Sequence, residues 1–177
     1  MGTFTSPVDE SDVRVMSGSG LSAGATSITT AGQSALEVFQ PGDYIYSNHT
    51  GIATGVYINE PDAAAQTQTV ITVDGVDATT QFAAGDIVAR MGSGFTGTIL
   101  KGNIIGTVAS VTSTSITLTG PNQRAFTDDQ HLNVAKFVGQ VRLSGGTFNA
   151  NTIPIQGTTQ VDLSSNHQLC FPIPNDG

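Results

Sequence analysis

Phe39-Gln40-Pro41-Gly42-Asp43-Tyr44-Ile45 is followed, 43 positions on, by Phe82-Ala83-Ala84-Gly85-Asp86-Ile87-Val88. Each stretch starts on an aromatic residue, passes through a Gly-Asp pair and ends in apolar residues. Gly accepts a positive φ, and Asp bonds nearby amides. The pattern reads as a tight turn that buries its Phe and delivers the chain into a strand. A decayed copy begins at Phe126: Phe126-Thr127-Asp128-Asp129-Gln130-His131-Leu132. Asp129 and Gln130 stand where the other two have Gly and Asp, so its turn geometry is the least defined of the three.

A Thr-rich run precedes each Phe: Thr26–Gly32, Thr69–Gly75 and Ser115–Gly120. These runs alternate apolar and hydroxyl residues with period two, the mark of a strand with one face buried. A Gly-containing apolar run follows each turn: Gly55–Ile58, Gly106–Val111 and Gly139–Leu143. Thr158–Leu163 reads as a further strand closing the array. Helix has little support, since only Ser34–Phe39 and Pro61–Gln68 offer even a single turn. The expected fold is all-β, made of repeated small antiparallel units, sandwich or barrel-like. The units are expected at 25–68, 69–113 and 114–163. Residues 1–24 and 164–177 read as extended terminal arms. Phe4, Val15 and Met16 are the anchors of one, and Leu169, Phe171 and Ile173 those of the other.

Charged residues make up only 11% of the 177, well under the usual quarter. A surface so poor in charge fits a protein packed against neighbours better than a free enzyme. Residues 1–86 hold ten acids and one base, whereas 87–177 hold four acids and five bases. Such asymmetry reads either as drift of a solvated surface or as a head-to-tail contact between the opposed ends. The net charge of −8 argues against nucleic acid as a partner. No apolar run approaches membrane-spanning length. No basic-then-apolar leader opens the sequence, so synthesis in a cytosol is expected. Cys170 is the sole cysteine, which excludes an intrachain disulfide, and its Leu-Cys-Phe context reads as buried.

The residues show little chemistry. Gly92-Ser93-Gly94-Phe95-Thr96-Gly97 matches the dinucleotide fingerprint, but strand-like residues follow it and no acid comes before Asp128. His49, His131 and His167 have no metal-ligand spacing. Asp74-Gly75-Val76-Asp77 and Asp128-Asp129 lack the spacing of a calcium loop and read as solvated turns. Asp43 and Asp86 are read as turn residues rather than as a catalytic pair. No cofactor, no metal and no enzymatic activity are expected.

Phe-x-x-Gly-Asp, with Gly106-Thr107-Val108-Ala109-Ser110-Val111 and Ser115-Ile116-Thr117-Leu118-Thr119-Gly120, resembles segments of virion structural proteins of tailed bacteriophages. The resemblance spans about residues 25–120. It implies a non-enzymatic virion component, such as a capsid decoration (cement) protein. Its partners would be other virion proteins and copies of itself. The alternative is a tail, neck or fibre component that binds a receptor or carbohydrate. That role needs exposed aromatics, for which Tyr44, Tyr46 and Tyr57 are the candidates.

Overall fold

The computed structural model describes residues 14–16, 20–32, 34–48, 54–91, 101–164 and 168–170. Its strands are β1 (Arg14–Met16), β2 (Ser27–Ala31), β3 (Tyr44–Asn48), β4 (Val56–Ile58), β5 (Val70–Gly75) and β6 (Ile87–Arg90). They continue as β7 (Ile104–Thr112), β8 (Ser115–Leu118), β9 (Leu132–Gln140), β10 (Thr152–Pro154) and β11 (Gln168–Cys170). The fold is all-β, and the registered strand pairs are antiparallel.

The period-two patterning becomes a burial pattern. Ile28 of β2, Ile71 and Val73 of β5, and Ile116 and Leu118 of β8 point inward, each at most 2% exposed. Thr29, Thr72 and Thr117 beside them face outward or lie half-buried, whereas Thr30 takes an inward position of β2 and is buried. Burying each such aliphatic side chain stabilises the fold by roughly 1.5–3 kcal/mol.

Among the described residues, helix is confined to single turns. Ala35–Val38 forms α1, capped by Ser34, whose Oγ accepts the Leu36 N–H at 3.3 Å. It stops at Phe39, where the backbone becomes extended. Ala78–Thr80 forms the equivalent 3-10 turn, capped by Asp77. No helical turn forms in Pro61–Gln68, which is held instead by an Ala63–Phe126 bridge and by the Asn122 side chain.

The chain divides into two compact units, cut between Asn48 and His49 and between Lys136 and Phe137. In the unit formed by 49–136, pairing runs from the first half of β9 through β6, β7, β8 and β5 to β4. A Tyr57–His131 bridge then returns β4 to the chain entering β9. In the other unit, pairing runs from the second half of β9 through β3, β11, β1 and β2 to β10. A Val141–Ile155 bridge returns it to the end of β9. Each unit is thus a barrel-like closed ring. Each has its own core, one around Ile71, Phe82, Ile105 and Phe126, the other around Ile28, Phe39, Val138 and Ile153.

These boundaries differ from the expected divisions at 68/69 and 113/114. A strand–turn–strand segment cannot cover its own apolar face, so its strands pair with others that are distant in sequence. Ser27–Ala31 pairs with Thr152–Pro154, for example. The terminal segments differ too. β1 pairs with both β11 and β2, so Val15, Met16 and Leu169 belong to a sheet of the chain itself rather than to extended arms. Leu169 is completely buried. Three residues suffice as a strand when neighbours on both sides supply the ladder. Phe4, Phe171 and Ile173 lie outside the described residues. Thr158–Leu163 is irregular rather than a strand, tied by Thr159 to Gly24 and Ala25 and by Leu163 to Leu21.

Candidate functional site

The three Phe-led turns share one set of bonds. Phe39, Phe82 and Phe126 are 1%, 2% and 1% exposed. Gly42 and Gly85 have the same φ of 92°. Asp43 Oδ2 accepts the Gln40 N–H at 2.9 Å, and Asp86 Oδ2 accepts the Ala83 N–H at 2.8 Å. Each turn also docks on a distant strand residue through two backbone bonds. Gly42 N–H donates to Val141 O and Val141 N–H to Asp43 O. Gly85, Asp86 and Val108 repeat this arrangement, and so do Asp129, Gln130 and Ile58. In the third turn Asp129 takes a positive φ of 61°. Gln130 Oε1 there accepts the Thr127 N–H at 3.2 Å. Asp tolerates the left-handed region better than most residues, and Gln provides an oxygen on a longer stem. The turn therefore survives both departures. These residues serve the architecture of the fold.

Electrostatics separate the two aspartates. Asp86 is 2% exposed and pairs with Lys136, whose ammonium also reaches Gln81 O. Asp43 has its Gln40 amide bond but lies half-buried, and burial pushes its carboxyl above the ordinary value of 3.8. The Gln40 N–H opposes that rise.

Beside the first turn lies an aromatic face. Tyr44 begins β3 and is 56% exposed. Its ring stands edge-on to Phe137 at 5.9 Å, and Tyr46 meets Phe137 in the same manner at 5.6 Å. Leu143 is 64% exposed and lies over Gly42, close to where a Cβ would sit. Tyr44, Phe137 and Leu143 are apolar groups of a kind that binds protein surfaces. Tyr46, by contrast, is only 8% exposed and cannot offer a ring to a ligand.

In the 49–136 unit, Tyr57 is 37% exposed and stacks on His131 at 4.3 Å between ring centres. His131 Nε2 accepts the Gly55 N–H at 2.9 Å. Asp77 caps a turn through Thr79, which holds its carboxyl below the ordinary value. Asp62 accepts the Asp128 N–H. Among the described residues no group of three or more His, Cys, Asp or Glu is placed to hold a metal. A polar cavity of about 370 Å³ opens beside Gly106, Thr107, Thr119 and Gln123. The glycine fingerprint at 92–97, His49 and His167 lie outside the described residues.

Sequence reasoning missed Phe137, Leu143, Lys136 and Asn122. Asn122 is completely buried. Its Oδ1 accepts from Thr67 and Gln68 N–H, and its Nδ2 donates to Ala64 and Arg124 O. The Pro121-Asn122 pair signals a turn, but nothing local reveals a knot between segments over 50 residues apart. No family model, curated protein or solved structure matches the chain.

Proposed function

We propose that this protein is a non-enzymatic structural component of a phage particle, a capsid decoration protein that stabilises it by contact with neighbouring subunits. The observation that carries the reading is the exposed Tyr44 ring set against Phe137, with Leu143 exposed over Gly42 of the adjoining turn, on a chain with 11% charged residues. Apolar rings of this kind contribute most when a partner excludes water from them. Both rings of strands return on themselves, so contacts are made by side-chain faces rather than by adding a strand to an open edge. The likeness of the Thr/Gly-rich motifs to phage virion proteins supplies the particle.

The test is sedimentation of the full chain beside a Tyr44→Ser/Leu143→Ser variant, followed by occupancy on purified particles in electron micrographs. Self-association or particle binding that falls at least tenfold in a variant with unchanged circular dichroism supports the reading. Unchanged association removes it.

A fibre role with carbohydrate binding is the second reading. The half-exposed Tyr57 ring stacked on His131 favours it, since an open aromatic face suits a sugar ring. Glycan-array binding lost in Tyr57→Ala would favour that role over the first.

A further inference from the structure

The ring of the 49–136 unit closes where residues 54–58 meet residues 129–132. Thr54 Oγ1 donates to Leu132 O at 2.6 Å. Gly55 N–H donates to His131 Nε2 at 2.9 Å. Ile58 N–H donates to Gln130 O at 2.9 Å, and Asp129 N–H to Ile58 O at 2.8 Å. The Tyr57 ring covers the imidazole, inclined to it by 20°. Of these bonds, the Gly55 bond is the one whose acceptor titrates near neutral pH. To accept, Nε2 must carry a lone pair, which puts the imidazole proton on Nδ1. A second proton would set N–H against N–H at this point.

Gly55 has little freedom to turn away. Its carbonyl accepts the Val76 N–H at 2.9 Å, and its φ of +74° is one that side-chain-bearing residues rarely adopt. The backbone of Gly75 passes so close that a Cβ there would strike Gly55 O. A lost Gly55–His131 bond therefore acts on the β4–β5 hairpin as a whole.

The geometry points to an acid-sensitive latch: protonation of His131 releases the Gly55 amide and opens the barrel seam between β4 and the start of β9. Other ionisable groups on the adjoining segments are Tyr57 on β4, Asp74 opposite it on β5, Arg90 on β6 opposite Leu132, and Asp128 and Asp129 in the preceding turn. Arg90 is engaged by the carbonyls of Ala125 and Gly102. Burial lowers the His131 pKa below 6.5. The bond to the neutral form acts in the same direction. A depressed folded pKa means that the unfolded chain takes the proton first. The stability His131 supplies is thus present above pH 6.5 and lost as pH falls through its folded pKa.

The test is nuclear magnetic resonance of the full chain from pH 8 to 5, following the His131 ring and hydrogen exchange at the Gly55 amide. Gly55 protection, corrected for intrinsic exchange, should fall at least tenfold with the same midpoint as the ring, below pH 6.5, while the β6 amides stay protected. His131→Gln offers an oxygen acceptor that does not titrate, so the step should vanish. Protection unchanged across the His131 titration, or a step that persists in His131→Gln, overturns the proposal. If His131→Gln does not fold, the wild-type midpoints decide: coincidence supports the latch, and its absence refutes it. The test is independent of how the protein assembles.

Discussion

Asp86 and Gln130 hold the same place in two copies of one turn: the side-chain oxygen of each takes the amide N–H three residues before it. The copies differ at the preceding residue, Gly85 with φ 92° and Asp129 with φ 61°. Asp129→Gly should therefore stabilise the protein by about 0.5–1 kcal/mol, as relief of the left-handed conformation outweighs the entropy of glycine. Gly85→Ala should cost about 1–2 kcal/mol. Urea midpoints measure both. A destabilised Asp129→Gly would mean that the aspartate contributes a contact of its own.

Phe39 and Phe82 fill separate cores. Truncating either to Ala should cost about 3–5 kcal/mol. Because the two share no core, the double variant should lose the sum of the single losses to within about 0.5 kcal/mol. Marked non-additivity in denaturant unfolding would contradict the division into two cores.

Asp43 and Asp86 should respond differently to substitution. The folded pKa of Asp43 is raised, so its contribution is fully present below 3.8 and lost as pH rises through the folded value. Asp43→Asn keeps an oxygen for the Gln40 amide, and its stability relative to wild type should improve between pH 3 and pH 7. Asp86→Ala strands Lys136 and the Ala83 amide and should cost about 2–4 kcal/mol at neutral pH. Thermal unfolding at several pH values checks the first, and urea unfolding at neutral pH the second.

Asn122→Ala should cost about 2–4 kcal/mol, because four backbone groups lose the amide that joins them. A loss below 1 kcal/mol, read from urea unfolding, would show that water replaces it.

Much of the secondary structure is legible in local chemistry. Alternation at Ile28, Ile71 and Ile116 and the Gly-Asp pairs gave strands and turns, because period and φ are properties of short segments. Pairing was not legible. Nothing near Arg14 points to Leu169, and nothing near Ser27 points to Pro154. The two-unit division follows from those distant pairings, which a repeated turn does not specify. The aromatic face was half visible. Tyr44 stood out, but its partner Phe137 comes from a strand 93 positions away, and exposure is decided only once both have been placed.

The route of the chain also sets a timetable. The stretch 49–136 is continuous, so its ring can close as soon as it leaves the ribosome. β1 to β3 are made earlier, yet β1 and β3 find their partner β11 only when residues 168–170 emerge. At roughly 5–20 residues per second, the 120 positions from Asn48 to Gln168 take on the order of 6–24 s. During that interval β1 has only β2 to pair with, and β3 lacks its β11 neighbour. Newly made chains crowded on one message could exchange them, and a holding chaperone would have its strongest claim on this protein then.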